Sequence, residues 1–264
     1  MTFRQKFNNI VKKHNSLLCV GLDPDLGKIS PKFLKKKKSI FEFNKSIIDQ
    51  TADLICAYKP NIAFYEAQGI EGLEQLKKTI QYLKENYSSV PLILDAKRAD
   101  IGNTAKMYAK AAFEYWDADA VTVYPNLGLD SLLPFLNYKD KLTILLFKTS
   151  NPDSSMFQNL MVDKEPYYLK MARKIKTWKY PNIGIFVGAT YPREIKELRS
   201  LFPESIFLSA GLGAQSAEIK SAVRAGIDKT KNGIMFNASR SILYAKSPRQ
   251  EAEKLKNEIN RYRI

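Results

Sequence analysis

Eight short aliphatic or β-branched runs punctuate the chain: SLLCVGLD (16–23), ICAYKPN (55–61), VPLILDAK (90–97), AVTVYP (120–125), LTILLFKTS (142–150), IGIFVGAT (183–190), SIFLSAGLG (205–213) and NGIMFNASR (232–240). Between them apolar residues recur at helical spacing, as in EGLEQLKKTIQYLKENY, NTAKMYAKAAFEYW, PYYLKMARKIKTW, PREIKELRSLF, QSAEIKSAVRAG and the closing EAEKLKNEINRYR. Eight strand-then-helix units within about 250 residues are the count and length of a (β/α)8 TIM barrel, with a doubly wound open sheet as the alternative α/β architecture. The polar residues separate the two. An open sheet gathers its chemistry at one crevice, whereas a barrel gathers it at the C-terminal ends of many strands. Nearly every run here ends in a polar residue or glycine: Asp23, Lys59 with Asn61, Asp95 with Lys97, Thr149 with Ser150, Gly188, Gly211 with Gly213, and Asn237 with Arg240. That pattern favours the barrel, and without a composition break or linker the 264 residues read as one barrel domain.

Composition narrows the function classes. No apolar run approaches the roughly 18–20 residues that span a bilayer, and the amphipathic start MTFRQKFNNIVKKHN has no signal-peptide core, so a soluble cytoplasmic protein is expected. The two cysteines, Cys19 and Cys56, lie in apolar runs and read as packed thiols. With a single histidine, His14, a His/Cys metal site is disfavoured. The net charge of +15 raises the question of nucleic acid. However, the densest run, KKKK at 35–38, has no interleaved aromatics and reads as a solvated face. A positive field of this size still draws in small phosphorylated molecules, less so at high salt.

The stretch LDAKRADIGNT (94–104) sets Asp95, Lys97 and Asp100 directly after a buried-looking strand. Alternation of strand side chains turns Asp95 and Lys97 to one side, and Lys59 and Asn61 likewise. Asp100 has left the strand; it either overhangs the same pocket, caps the following helix or reaches a neighbouring subunit. An isolated D-x-K-x-x-D is equally well a helix cap beside a surface ion pair. Two lysines and two acids in one semi-enclosed site must instead alternate in sign, because like charges a few ångströms apart repel by several kcal/mol at an effective dielectric of about 20. Such an array keeps an ammonium protonated for donation to a carbanion, and a carboxylate beside a substrate carboxylate favours its departure as CO2. Decarboxylation is the chemistry this suggests.

A second constellation follows strands seven and eight. SAGLGAQS and FNASRS supply glycine amides, a helix start at Gln215 and Arg240, a set suited to phosphate at the loops where barrels often hold it. Asp23 in VGLDPD is either a turn aspartate before proline or an acceptor of sugar hydroxyls. TSNPDSSMFQNLMVDKEP is the longest loop-like connection. Thr149 and Ser150 at its base either read polar ligand edges or cap an Asn-Pro turn.

LCVGLDPD, AYKPNIAFYEAQG, LDAKRADIGNT, LLFKTSNPDS, VGAT, SAGLGAQ and NASR resemble, in order and along essentially the whole chain, the motifs of the orotidine 5′-phosphate decarboxylases. AFYEAQG and KTSNPDS resemble the branch with many bacterial and some protozoal members. The resemblance implies conversion of orotidine 5′-monophosphate to uridine 5′-monophosphate, the last step of de novo UMP biosynthesis, without metal or organic cofactor. It implies a catalytic array of Lys59, Asp95, Lys97 and Asp100, with Lys97 protonating C6 of the pyrimidine. It further implies a homodimer in which Asp100, Ile101 and Thr104 serve the partner's site. Asp23 and Asn61 would hold the ribose, Thr149 and Ser150 the pyrimidine edge, Gln215 would link base to phosphate, and Gly213, Ser239 and Arg240 would bind the phosphate. One departure is visible: Ser239 occupies a position that is often glycine in relatives. A sugar-phosphate decarboxylase or aldolase of the same superfamily, typically magnesium-dependent, shares D-x-K-x-x-D and is the enzymatic alternative.

Overall fold

The computed structural model describes residues 1–211 and 216–263. The eight anticipated runs each contain a strand: β1 Leu18–Leu22, β2 Ala57–Pro60, β3 Ile93–Arg98, β4 Ala120–Val123, β5 Leu142–Lys148, β6 Ile183–Gly188, β7 Phe207–Ala210 and β8 Ile234–Ala238. They pair in parallel in the order β2-β1-β8-β7-β6-β5-β4-β3. Parallel bridges Tyr58↔Leu92 and Asn61↔Asp95 join the two ends of that order, so the sheet closes on itself. Every residue of β1, β5, β6 and β8 is buried, as expected for parallel strands covered on both faces. β3 is different: its first three residues are buried and its last three, Ala96 to Arg98, emerge at the mouth.

The N-terminal helix Phe3–His14 closes the opposite end. A capping box between Thr2 and Gln5 starts it, and Phe3, Phe7, Ile10 and Val11 bury one face. The Phe3 amide donates to the Asp140 carbonyl (2.7 Å), and the Lys6 ammonium reaches Asp119 (2.7 Å), which also accepts from the Leu92 amide (2.8 Å). The closed bottom leaves the C-terminal strand ends as the place for chemistry.

The helix Leu129–Leu136 carries Pro134 near its end while Leu132, Phe135 and Leu136 pack inward. The 149–166 connection is not structureless: it holds the helix Ser154–Gln158 and an antiparallel ribbon of Met161–Val162 with Glu165–Pro166. The ribbon turns on Asp163 and Lys164, both at positive φ (48° and 66°), a primed hairpin turn built without the usual glycine or asparagine.

Arg199, in the helix Pro192–Leu201, ties the bottoms of the last strands together. Its guanidinium donates to the carbonyls of Gly226 (2.9 Å), Phe202 (3.1 Å), Ser205 (2.7 Å) and Gly233 (2.8 Å) and lies 3.7 Å from the ring centre of Phe207. Arg199→Met should cost about 3 kcal/mol by stranding these acceptors, a fall in Tm of roughly 6–12 °C, while leaving turnover at 25 °C intact. Thermal unfolding followed by circular dichroism checks this, and an unchanged Tm contradicts it.

Candidate active site

Lys59 lies near the end of β2, and Asp95 on β3 pairs with Asn61 in one of the bridges that close the barrel. Both are buried, at 3% and 7% exposure. The Lys59 ammonium donates to Oδ2 of Asp95 (2.8 Å) and the Lys97 ammonium to Oδ1 (2.6 Å), so one carboxylate binds two cations, one oxygen to each. Burial alone would neutralise Asp95, but Lys59 and Lys97 outweigh it and hold the carboxyl well below the usual carboxylate range. Burial likewise opposes the charge on Lys59, and Asp95 with Asp23 reverses this and raises its pKa. Asp95 and Lys59 are therefore both charged throughout the neutral range.

The pH dependence follows from the signs. The folded pKa of Asp95 lies below its unfolded value near 4, so its contribution to stability is present above that value and is lost as pH falls through the folded pKa. The stability gap between wild type and Asp95→Asn should be widest above about pH 5 and narrow toward pH 2–3, as read by urea unfolding across that range. Lys59, raised in the folded state, contributes fully below its unfolded value near 10 and gives no slope between about pH 5 and 9. A gap independent of pH would contradict the assignment.

Asp95 and Lys97 meet as expected, but not by simple alternation. β3 pairs with β4 as Leu94↔Val121 and then Arg98↔Val123, so four steps of β3 run against two of β4. The surplus forms a bulge, and Lys97 sits in the left-handed region with φ of 46°. A non-glycine residue there costs energy and persists only where its surroundings impose it; such strain clusters at functional sites. Asp100 stands apart from the array. Its carboxylate accepts from the adjacent Ile101 amide (2.8 Å), and no ion pair joins it to another described residue of this chain. Ile101 and Thr104, at the start of the helix Gly102–Lys110, are exposed.

Asp23, just past β1, lies beside β8 and β2. Its Oδ1 accepts from the Asn61 amide (3.2 Å) and its Oδ2 from the Ser239 hydroxyl (2.7 Å). The Asn61 side chain accepts from the Ala63 amide (3.2 Å) and so also shapes its own turn. Ser239 has φ of −121°, a conformation that needs no glycine. Its hydroxyl instead fills the space over Gly21, where an added Cβ would lie 1.9 Å from Oγ. The serine thus adds a contact to Asp23.

Thr149 is tied to its own segment: its amide and hydroxyl bond Gln158 (2.9 and 3.0 Å), and the hydroxyl donates to Asn151 (2.7 Å). Ser150 is exposed and seated against two glycines. A Cβ on Gly188 would come within 2.9 Å of Ser150 Cα, and one on Gly211, at φ of 85°, within 3.2 Å of its Cβ. Arg240 is exposed at the start of the short helix Arg240–Leu243. Gly213 and Gln215 lie outside the described residues. Cys19 and Cys56 are free buried thiols, and burial pushes the Cys19 thiol up to about 12.

Two polar residues near the site were not anticipated. Thr122 of β4 donates to Asp95 Oδ1 (2.9 Å). Lys148, at the end of β5, is fully buried, donates to Ser154 Oγ (2.9 Å) and lies 4.6 Å from the Tyr191 ring centre; burial lowers its pKa. Among the described residues no group of three or more His, Cys, Asp or Glu is placed to hold a metal ion, and no helix is long and apolar enough to cross a membrane.

A closed parallel barrel whose mouth carries one buried carboxylate between two ammonium groups has the layout of a (β/α)8 enzyme with its chemistry at the strand ends. A family model described as "Orotidine 5'-phosphate decarboxylase / HUMPS family" matches residues 16–255, and the chain belongs to that family. It is 46% identical to the orotidine 5′-phosphate decarboxylase of Cellvibrio japonicus over 249 residues, covering 93% of this chain and 90% of the relative. To the Flavobacterium johnsoniae enzyme of the same name it is 45% identical, covering 98% and 94%. The solved structure of Leishmania donovani OMP decarboxylase superimposes with a TM-score of 0.89 at 37% identity, covering 100% of this chain and 99% of that one.

Proposed function

We propose that this chain converts orotidine 5′-monophosphate to uridine 5′-monophosphate and CO2, the last step of de novo UMP biosynthesis, through the Lys59–Asp95–Lys97 array. The observation that carries the reading is the carboxylate of Asp95 held ionised between two ammonium groups at the mouth of a barrel of this family. The substrate carboxylate lies against Asp95, and its loss as neutral CO2 relieves that repulsion. The electron pair left on C6 is stabilised by the Lys97 ammonium, which then gives C6 its proton. Lys59 keeps Asp95 charged throughout. Charge and one proton suffice, so no metal or organic cofactor enters.

Two copies form the working enzyme in the cytoplasm. Asp100, unpaired with the array of its own chain, completes an alternating Lys-Asp-Lys-Asp set in the partner, with Ile101 and Thr104 lining the same site. Asp23 and Asn61 hold the ribose, and Thr149 and Ser150 the pyrimidine edge. Gln215 spans base and phosphate, while Gly213, the Ser239 amide and Arg240 receive the phosphate. Binding energy from the remote phosphate is used to enclose the pyrimidine among the charges. The family description also covers HUMPS enzymes, but the relatives at 45–46% identity are orotidine 5′-phosphate decarboxylases, which favours the nucleotide over a sugar phosphate.

The purified protein, treated with EDTA, should convert orotidine 5′-monophosphate stoichiometrically to uridine 5′-monophosphate. Inactivity of the folded protein toward the nucleotide, with magnesium-dependent turnover of a sugar phosphate, overturns the reading.

A further inference from the structure

We propose that Thr122 is the positioning residue that holds the strained turn carrying Lys97 and directs the Asp95 carboxylate toward it. The inference rests on the proposed role of Lys97. The bulge in β3 takes residues 95–97 out of regular pairing with β4, and Thr122 lies on β4 between the two points where pairing is kept, Val121 and Val123. The amides of Ala96 and Lys97 therefore have no ladder partner, and both donate to the Thr122 hydroxyl oxygen, each at 3.0 Å. With both lone pairs of that oxygen occupied, its proton is left to point elsewhere, and it is donated to Asp95 Oδ1 (2.9 Å). This is the oxygen that also receives the Lys97 ammonium.

One side chain thus uses its full hydrogen-bonding capacity on the two functions the array needs. It satisfies the consecutive amides that the bulge strands, which is what keeps Lys97 at φ of 46°. It also fixes the carboxylate rotamer that gives one oxygen to each lysine. Thr122 is 1% exposed, and its β-branch limits rotation about χ1, so the hydroxyl is held without help from solvent. Valine matches the shape but supplies neither acceptor nor donor, and a regular extended backbone at 95–97 then competes with the bulge.

The test compares Thr122→Val and Thr122→Ser with wild type and Lys97→Ala. The valine variant should lose about 10²-fold in kcat, with KM for orotidine 5′-monophosphate and affinity for uridine 5′-monophosphate within about 3-fold of wild type, since the phosphate and ribose contacts lie on other strands. Serine, which restores the hydroxyl, should recover kcat to within about 5-fold. If the valine variant does not fold, Thr122→Cys, a weaker donor and acceptor of similar size, reads the same split between kcat and KM. A folded valine or cysteine variant with wild-type kcat overturns the inference while Lys97→Ala remains inactive. If Lys97→Ala itself is fully active, the reading of Lys97 fails first. A serine variant as impaired as valine also overturns it, because the effect then belongs to packing.

Discussion

Lys97→Ala should lower kcat by at least about 10⁴-fold, since general-acid catalysis supplies about 10²–10⁴ and stabilisation of developing charge a comparable further factor. The barrel should survive the change. Lys97 is 37% exposed at its side chain, and Asp95 retains Lys59 as a buried partner, so the truncation leaves no uncompensated charge in the interior. Affinity for uridine 5′-monophosphate should change by only a few-fold, because the groups assigned to phosphate and ribose are untouched. Steady-state turnover beside calorimetric binding of the product checks both halves, and a loss in kcat below about 10-fold contradicts the assignment of Lys97 as the proton donor.

The second large effect is a recovery. Lys97→Ala and Asp100→Ala should each be almost inactive alone, and an equal mixture should regain about one quarter of wild-type activity, since half the dimers are mixed and one of their two sites is intact. The basis is that, among the described residues, Asp100 bonds only to the adjacent amide and pairs with no lysine of its own chain, while Ile101 and Thr104 beside it stand exposed. Complementation is specific to this arrangement: if Asp100 served its own chain, every site in a mixed dimer would lack one group or the other. Activity no higher than that of the parents, after subunit exchange has been verified by mass tagging, contradicts sharing.

Much of the fold was legible because its strands are buried on both faces and write themselves as unbroken aliphatic runs, of which LTILLFK and IGIFVG are the clearest. The polar strand ends were legible for the complementary reason that charge at the end of a buried strand needs a purpose. The bulge at 95–97 was not. No glycine or asparagine marks Lys97 as left-handed, because the conformation is imposed from β4 and not chosen locally. Thr122 was hidden in AVTVYP for the same reason: its partners, the amides of Ala96 and Lys97, are 26 and 25 residues away in sequence. Pro134 within a helix and the Asp163-Lys164 turn break local rules that tertiary packing overrides. Ser239 was anticipated as a phosphate contact, and the bond of its hydroxyl to Asp23, across 216 residues of sequence, was not.

A crystal structure with uridine 5′-monophosphate bound tests the role of the Lys59–Asp95–Lys97 array, because it places the reacting carbon against the charges. C6 should lie within about 4 Å of the Lys97 ammonium, near-attack distance for proton transfer, with the ribose at Asp23 and the phosphate at Arg240. A pyrimidine ring more than about 6 Å from Lys97 in both subunits, or one seated away from the strand ends, contradicts it.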